Sequence, residues 1–168
     1  DMVQLGWVLT DPSGETVIRE FEAKVFPEMP VSPEAAAVNG YTPNRWAEEA
    51  VPLQPVLAEM FTAAKGAVFA AHNAHFDWSY VTAAARRHGL KWAGDYHILD
   101  TSVLMWPLLM SGAVEKVRLQ NALDYFGIVN SKAHTALADA HACRQLFLRL
   151  KRGWATTTPG TQVGSTIS

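Results

Sequence analysis

The chain has 168 residues, 49% hydrophobic and 18% charged, enough for one domain with a sizeable core, which excludes a disordered acidic or basic tail as the main content. A formal net charge of −2 gives no global attraction for a polyanion, so nucleic-acid binding would need a local site or bound cations. The single cysteine, Cys143, excludes an intramolecular disulfide and makes a cytoplasmic (intracellular) setting the expectation, while no apolar run approaches the roughly 20 residues of a membrane span.

Residues 2–9 and 15–26 are rich in β-branched and aromatic side chains. Asp11-Pro12-Ser13-Gly14 between them has turn chemistry, so an antiparallel hairpin is predicted. Ser32-Pro33-Glu34 is a helix start, with an N-cap, a proline at the first helical position and an acid in the first turn, and Gly40 stops that helix. From Pro55 onward Leu57, Met60, Phe61 and Ala64 recur at helical spacing up to Gly66. Residues 67–72 read as a buried strand that runs into Asn73, the expected N-cap of a helix ending at Gly89. A short strand over 96–99, a helix over 100–109 and another over 119–126 follow, and a last helix is predicted over 137–150. Residues 1–151 are thus expected to form one domain. Residues 152–168, which become rich in Thr, Gly, Pro and Ser, are expected to form a flexible tail.

Two segments carry polar residues where chemistry is expected. In His72-Asn73-Ala74-His75-Phe76-Asp77 a strand ends in polar residues and an aspartate follows in the first helical turn. Crevices at the carboxyl ends of strands are common ligand sites in α/β folds, and carboxylates suit hard cations such as Mg²⁺ or Mn²⁺. The sequence leaves open whether Asp77 binds a cation or only complements a helix dipole. In His134-Thr135-Ala136-Leu137-Ala138-Asp139-Ala140, a rotation of about 100° per residue puts Asp139 on the stripe of Cys143, Leu146 and Leu150. A carboxylate there needs a partner, because leaving it charged and unpaired costs several kcal/mol. His134 is expected on the incoming loop, where an imidazole with a pKa of about 6.5 suits a general base, although a surface histidine is the alternative.

Together the two segments resemble the DEDDh 3′→5′ exonucleases, the family of polymerase proofreading subunits and RNase T. The family's His-Asn-x-x-Phe-Asp is similar to residues 72–77, and its His-x-Ala-x-x-Asp-Ala to residues 134–140. Residues 32–42 resemble its Pro-Glu-Ala…Asn/His-Gly segment, and Asp100-Thr101 the Asp-Thr that follows its fifth strand. The similarity covers about residues 1–150. The family's first motif, Asp-x-Glu-Thr-Thr-Gly, does not occur; that motif lies on the central strand of the family's fold, so a fragment beginning one loop after it is expected.

The resemblance implies an α/β, ribonuclease-H-like mixed sheet with flanking helices, of strand order 3-2-1-4-5 with the first, central strand absent from this chain. It implies Asp77 and Asp139 as ligands of a two-metal Mg²⁺ or Mn²⁺ site, His134 as general base and Asn73 as a backbone-positioning residue. It also implies a single-stranded nucleic acid 3′ end as partner, with a polymerase as a further one and no membrane. Trp78 and Tyr41 are candidates for stacking on terminal nucleotides, with core packing as the alternative. A catalytically inactive module that binds nucleic acid or a protein is the competing expectation. His72 is expected to pack or hydrogen-bond, and the other histidines to be structural or superficial.

Overall fold

The structure is a computed structural model that describes residues 2–130 and 135–155. Strands β1 (Gln4–Thr10) and β2 (Val17–Lys24) form the predicted antiparallel hairpin. Its turn is tied by Asp11, whose carboxylate accepts the Thr16 N–H at 3.0 Å and the Ser13 hydroxyl at 2.7 Å. A bridge from Val25 to Val51 continues the second strand outward.

Helix α1 (Pro33–Asn39) begins as its sequence dictates, with the Ser32 hydroxyl accepting from Ala35 N–H, and ends on Gly40 in the left-handed conformation. Helix α2 (Pro43–Ala47) repeats the device, with Thr42 as cap. Helix α3 (Leu53–Ala63) buries Leu53, Val56, Leu57, Met60 and Phe61. Strand β3 (Phe69–Ala71) feeds helix α4 (Ala74–Arg87), and β4 (Ile98–Asp100) pairs with β3 in parallel. The helix predicted over 100–109 is divided into α5 (Thr101–Leu104) and α6 (Trp106–Met110). Pro107, near the start of α6, has no N–H to continue a helical ladder and favours a fresh start. Helix α7 (Leu119–Phe126) ends on left-handed Gly127, and α8 (Ala136–Ala155) runs past the predicted end.

Among the described residues the strands make two pairs, β1 with β2 and β3 with β4, and no strand joins them. Two apolar clusters hold the helices in place. Leu5, Trp7, Val25, Leu57, Phe61 and Val81 pack where the hairpin meets α3 and α4; Met105, Leu123, Leu146 and Leu150 pack where α7 meets α8. Burying each such side chain is worth roughly 1.5–3 kcal/mol, so the frame carrying both polar segments is anchored from both sides. No helix among the described residues is long and apolar enough to cross a membrane.

Candidate active site

Parallel pairing of β3 with β4 sets Ala71 opposite Asp100. From there the Asp100 carboxylate reaches the turn that follows β3, accepting from the backbone N–H of Asn73 and of Ala74, each at 2.9 Å. It also accepts from Ser102 N–H at 2.8 Å and so caps α5. Asn73 stands at the N-cap position of α4, as predicted, but its side chain makes no capping bond; its backbone is left-handed at φ 66° and ψ 49°. That expectation is corrected: the free amides at the start of α4 are satisfied by a carboxylate from a neighbouring strand. Burial pushes the Asp100 pKa up, but bonds from Ser102 and from the Asn73 and Ala74 amides outweigh it and hold the carboxyl below its ordinary range.

Asp77 lies in the first turn of α4. Its side chain is exposed, yet the protein around it withdraws enough solvent to raise its pKa. Its own backbone N–H opposes that rise, the negative charge of Asp100 adds to it, and His75 works against it. A carboxylate partly stripped of water beside a second carboxylate is the donor type a hard divalent cation would complete.

Asp139 is half-buried at the start of α8, and the partner its stripe required is Asn130, whose side-chain amide donates to its carboxylate at 2.9 Å. Cys143, one helical turn further on, is buried, as the periodicity predicted. Burial pushes its thiol up to about 11, with the negative charges of Asp77 and Asp100 adding to the effect. Asp77 and the start of α8 therefore share one electrostatic neighbourhood. Among the described residues, no three His, Cys, Asp or Glu side chains come together as a metal-binding group. His134 lies outside the described residues.

His72 is bonded at both ring nitrogens, Nδ1 to the Thr101 hydroxyl at 3.0 Å and Nε2 to the Val117 carbonyl at 2.7 Å. A carbonyl can only accept, so Nε2 carries the proton and Nδ1 accepts from Thr101. Burial holds the His72 pKa below its ordinary value, which suits this neutral ring. Thr101 is fully buried and lies 3.4 Å from the Cys143 sulfur, so a polar chain runs from α8 through α5 to the end of β3. Sequence reasoning assigned no role to Asp100, and its signal was the Asp-Thr pair itself. The other candidates are partly engaged: half-buried Trp78 packs against Phe69 and Trp92 at 5.0 and 5.2 Å between ring centres, and Tyr41 meets Trp46 edge-on at 5.3 Å.

A profile of the RNase T exonuclease family matches residues 1–147. The chain belongs to this exonuclease family. Ribonuclease T of Yersinia enterocolitica is 34% identical over 161 residues, which cover 89% of this chain and 71% of the relative. The DNA polymerase III subunit epsilon of Treponema pallidum is 26% identical over 149 residues, covering 87% of this chain and 66% of the subunit. Escherichia coli exonuclease I, solved in complex with a dT13 oligonucleotide, superposes with a TM-score of 0.78 at 18% identity, over 92% of this chain and 39% of that one. The chain thus spans less than half of that exonuclease. The fold is the ribonuclease-H-like α/β fold of the exonucleases, with small sheets and flanking helices.

Proposed function

We propose that the chain forms part of a metal-dependent 3′→5′ exonuclease that trims single-stranded DNA or RNA to nucleoside monophosphates, in proofreading or repair. The observation that carries this reading is the match of residues 1–147 to the exonuclease family, with Asp77 standing in the first turn of the helix that follows β3. Asp77 and Asp139 are the residues that would hold Mg²⁺ or Mn²⁺. When bound, such ions bring positive charge to the scissile phosphate and lower the pKa of water. His134 would take the proton of the attacking water. Asn73, exposed at the head of α4, would meet the nucleic-acid backbone, and the half-buried Trp78 and Tyr41 would stack on bases. A polymerase is a fitting partner, and a reducing intracellular setting suits the lone thiol.

A second reading, an inactive module that binds nucleic acid or a protein, is favoured by the lack of a three-ligand cluster among the described residues. One assay separates the two, using 5′-labelled single strands with Mn²⁺ or EDTA. The chain is tested alone and joined at its N-terminus to a strand bearing the family's first motif. The joined chain should shorten the label from the 3′ end only with Mn²⁺, and His134→Ala should slow it by about 10²–10⁴-fold. Strand binding without shortening, indifferent to EDTA, would favour the module.

A further inference from the structure

We propose that Asp100 is a positioning residue for the exonuclease site, its carboxylate fixing the direction in which α4 presents Asp77. The inference rests on the reading of Asp77 as a cation ligand. Three backbone N–H groups on two helices converge on this one carboxylate, those of Asn73 and Ala74 at 2.9 Å and that of Ser102 at 2.8 Å. An ordinary helix caps itself from its own N-cap side chain. Here the N-cap residue is left-handed Asn73, without a side-chain cap bond, so the first turn of α4 takes its orientation from β4. Asp77 is in that same turn. The next residue, Thr101, extends the hold, since its hydroxyl lies 3.0 Å from His72 Nδ1 at the end of β3 and 3.4 Å from Cys143, one turn beyond Asp139 on α8. The end of β4 therefore ties together the helices that carry both candidate ligands.

Geometry also distinguishes the effects of substitution. One carboxylate oxygen serves both Asn73 and Ser102, and the other serves Ala74 alone. Asp100→Asn keeps one acceptor oxygen and places an amide donor against the Ala74 N–H. Asp100→Ala removes all three acceptor contacts.

The test uses the chain itself in wild-type, Asp100→Asn, Asp100→Ala and Asp77→Asn forms. Amide hydrogen exchange is read at residues 73, 74 and 102, and Mn²⁺ affinity by paramagnetic titration. Asp100→Ala should speed exchange at all three amides and weaken Mn²⁺ binding about tenfold, the low end for partners that orient a metal ligand. Asp100→Asn should speed exchange chiefly at Ala74 with a smaller loss of affinity, and carries the same test should the alanine variant not fold. A purely structural cap would change exchange and melting without changing the Mn²⁺ affinity of the folded protein. Opened amides with wild-type Mn²⁺ affinity, while Asp77→Asn binds weakly, would overturn the inference and leave the functional reading standing. Wild-type Mn²⁺ affinity in Asp77→Asn would overturn both.

Discussion

The two candidate carboxylates are held by different balances of packing and hydrogen bonding. Asp77 belongs to a region where β3 and its parallel neighbour β4 are each three residues long and the Asp100 carboxylate and the His72–Thr101 pair hold the helix head. Asp139 belongs to a region where a close backbone approach is added to hydrogen bonds. There α8 lies on the β1–β2 hairpin, and Gly6 leaves room for it, since a Cβ at that position would fall 2.5 Å from the carbonyl carbon of Ala136. Glu22 accepts the Leu137 N–H at 3.0 Å, and further along α8 Arg144 donates to the Gly14 carbonyl at 2.8 Å and Lys151 to the Ser13 carbonyl at 2.8 Å. Placement by hydrogen bonds around a turn leaves Asp77 in an electrostatically costly state. On the α8 side Asp139 has a neutral partner, Asn130.

That contrast can be broken most forcefully on the packed side. Gly6→Ala should force α8 off the hairpin, because the obstacle is backbone and has no side chain that can turn aside. Such overpacking costs about 1–3 kcal/mol or more, and at this size each kcal/mol is worth about 2–4 °C in thermal midpoint. Melting followed by circular dichroism should show that fall, and an unchanged midpoint would mean that α8 is not seated against β1 as described.

A smaller effect of opposite sign is expected on the polar side. The folded-state pKa of Asp77 is raised above the ordinary 3.8, so its ionisation costs the folded state more than the unfolded one. The cost is absent below pH 3.8, grows as pH rises from there toward the folded value and is complete above it. Asp77→Asn should therefore melt higher than wild type at pH 7, with the gap closing toward pH 3.8 and shrinking at pH 7 when Mn²⁺ is added. A variant that melts lower at pH 7 would contradict the placement of Asp77.

Local signals in the sequence were reliable where the physics is local. The Asp11 turn, the Ser32 cap and the Cys143, Leu146 and Leu150 stripe all formed as read, because each depends on neighbours within a turn or two. Helix α2 was overlooked although Thr42-Pro43 repeats the start signal of Ser32-Pro33. Asn73 takes the N-cap position of α4 that its sequence predicts, but its side chain makes no cap bond: the register of β3 against β4 brings Asp100 to its amides from 27 residues away, and no local pattern contains that register. The chemistry of the site was legible as two motifs, whereas the hold of Asp100 and Thr101 on the helices carrying them depends on tertiary pairing.

In the proposed function Asp77 and Asp139 serve one divalent-cation site. Mn²⁺ titration of the chain beside Asp77→Asn, Asp139→Asn and the double variant tests it directly. Saturable binding should weaken in either single variant by at least the roughly tenfold that loss of a ligand's orienting partner costs, with little further loss in the double, as for two ligands of one site. Binding unchanged in either single variant, or losses that simply add in the double, would contradict it.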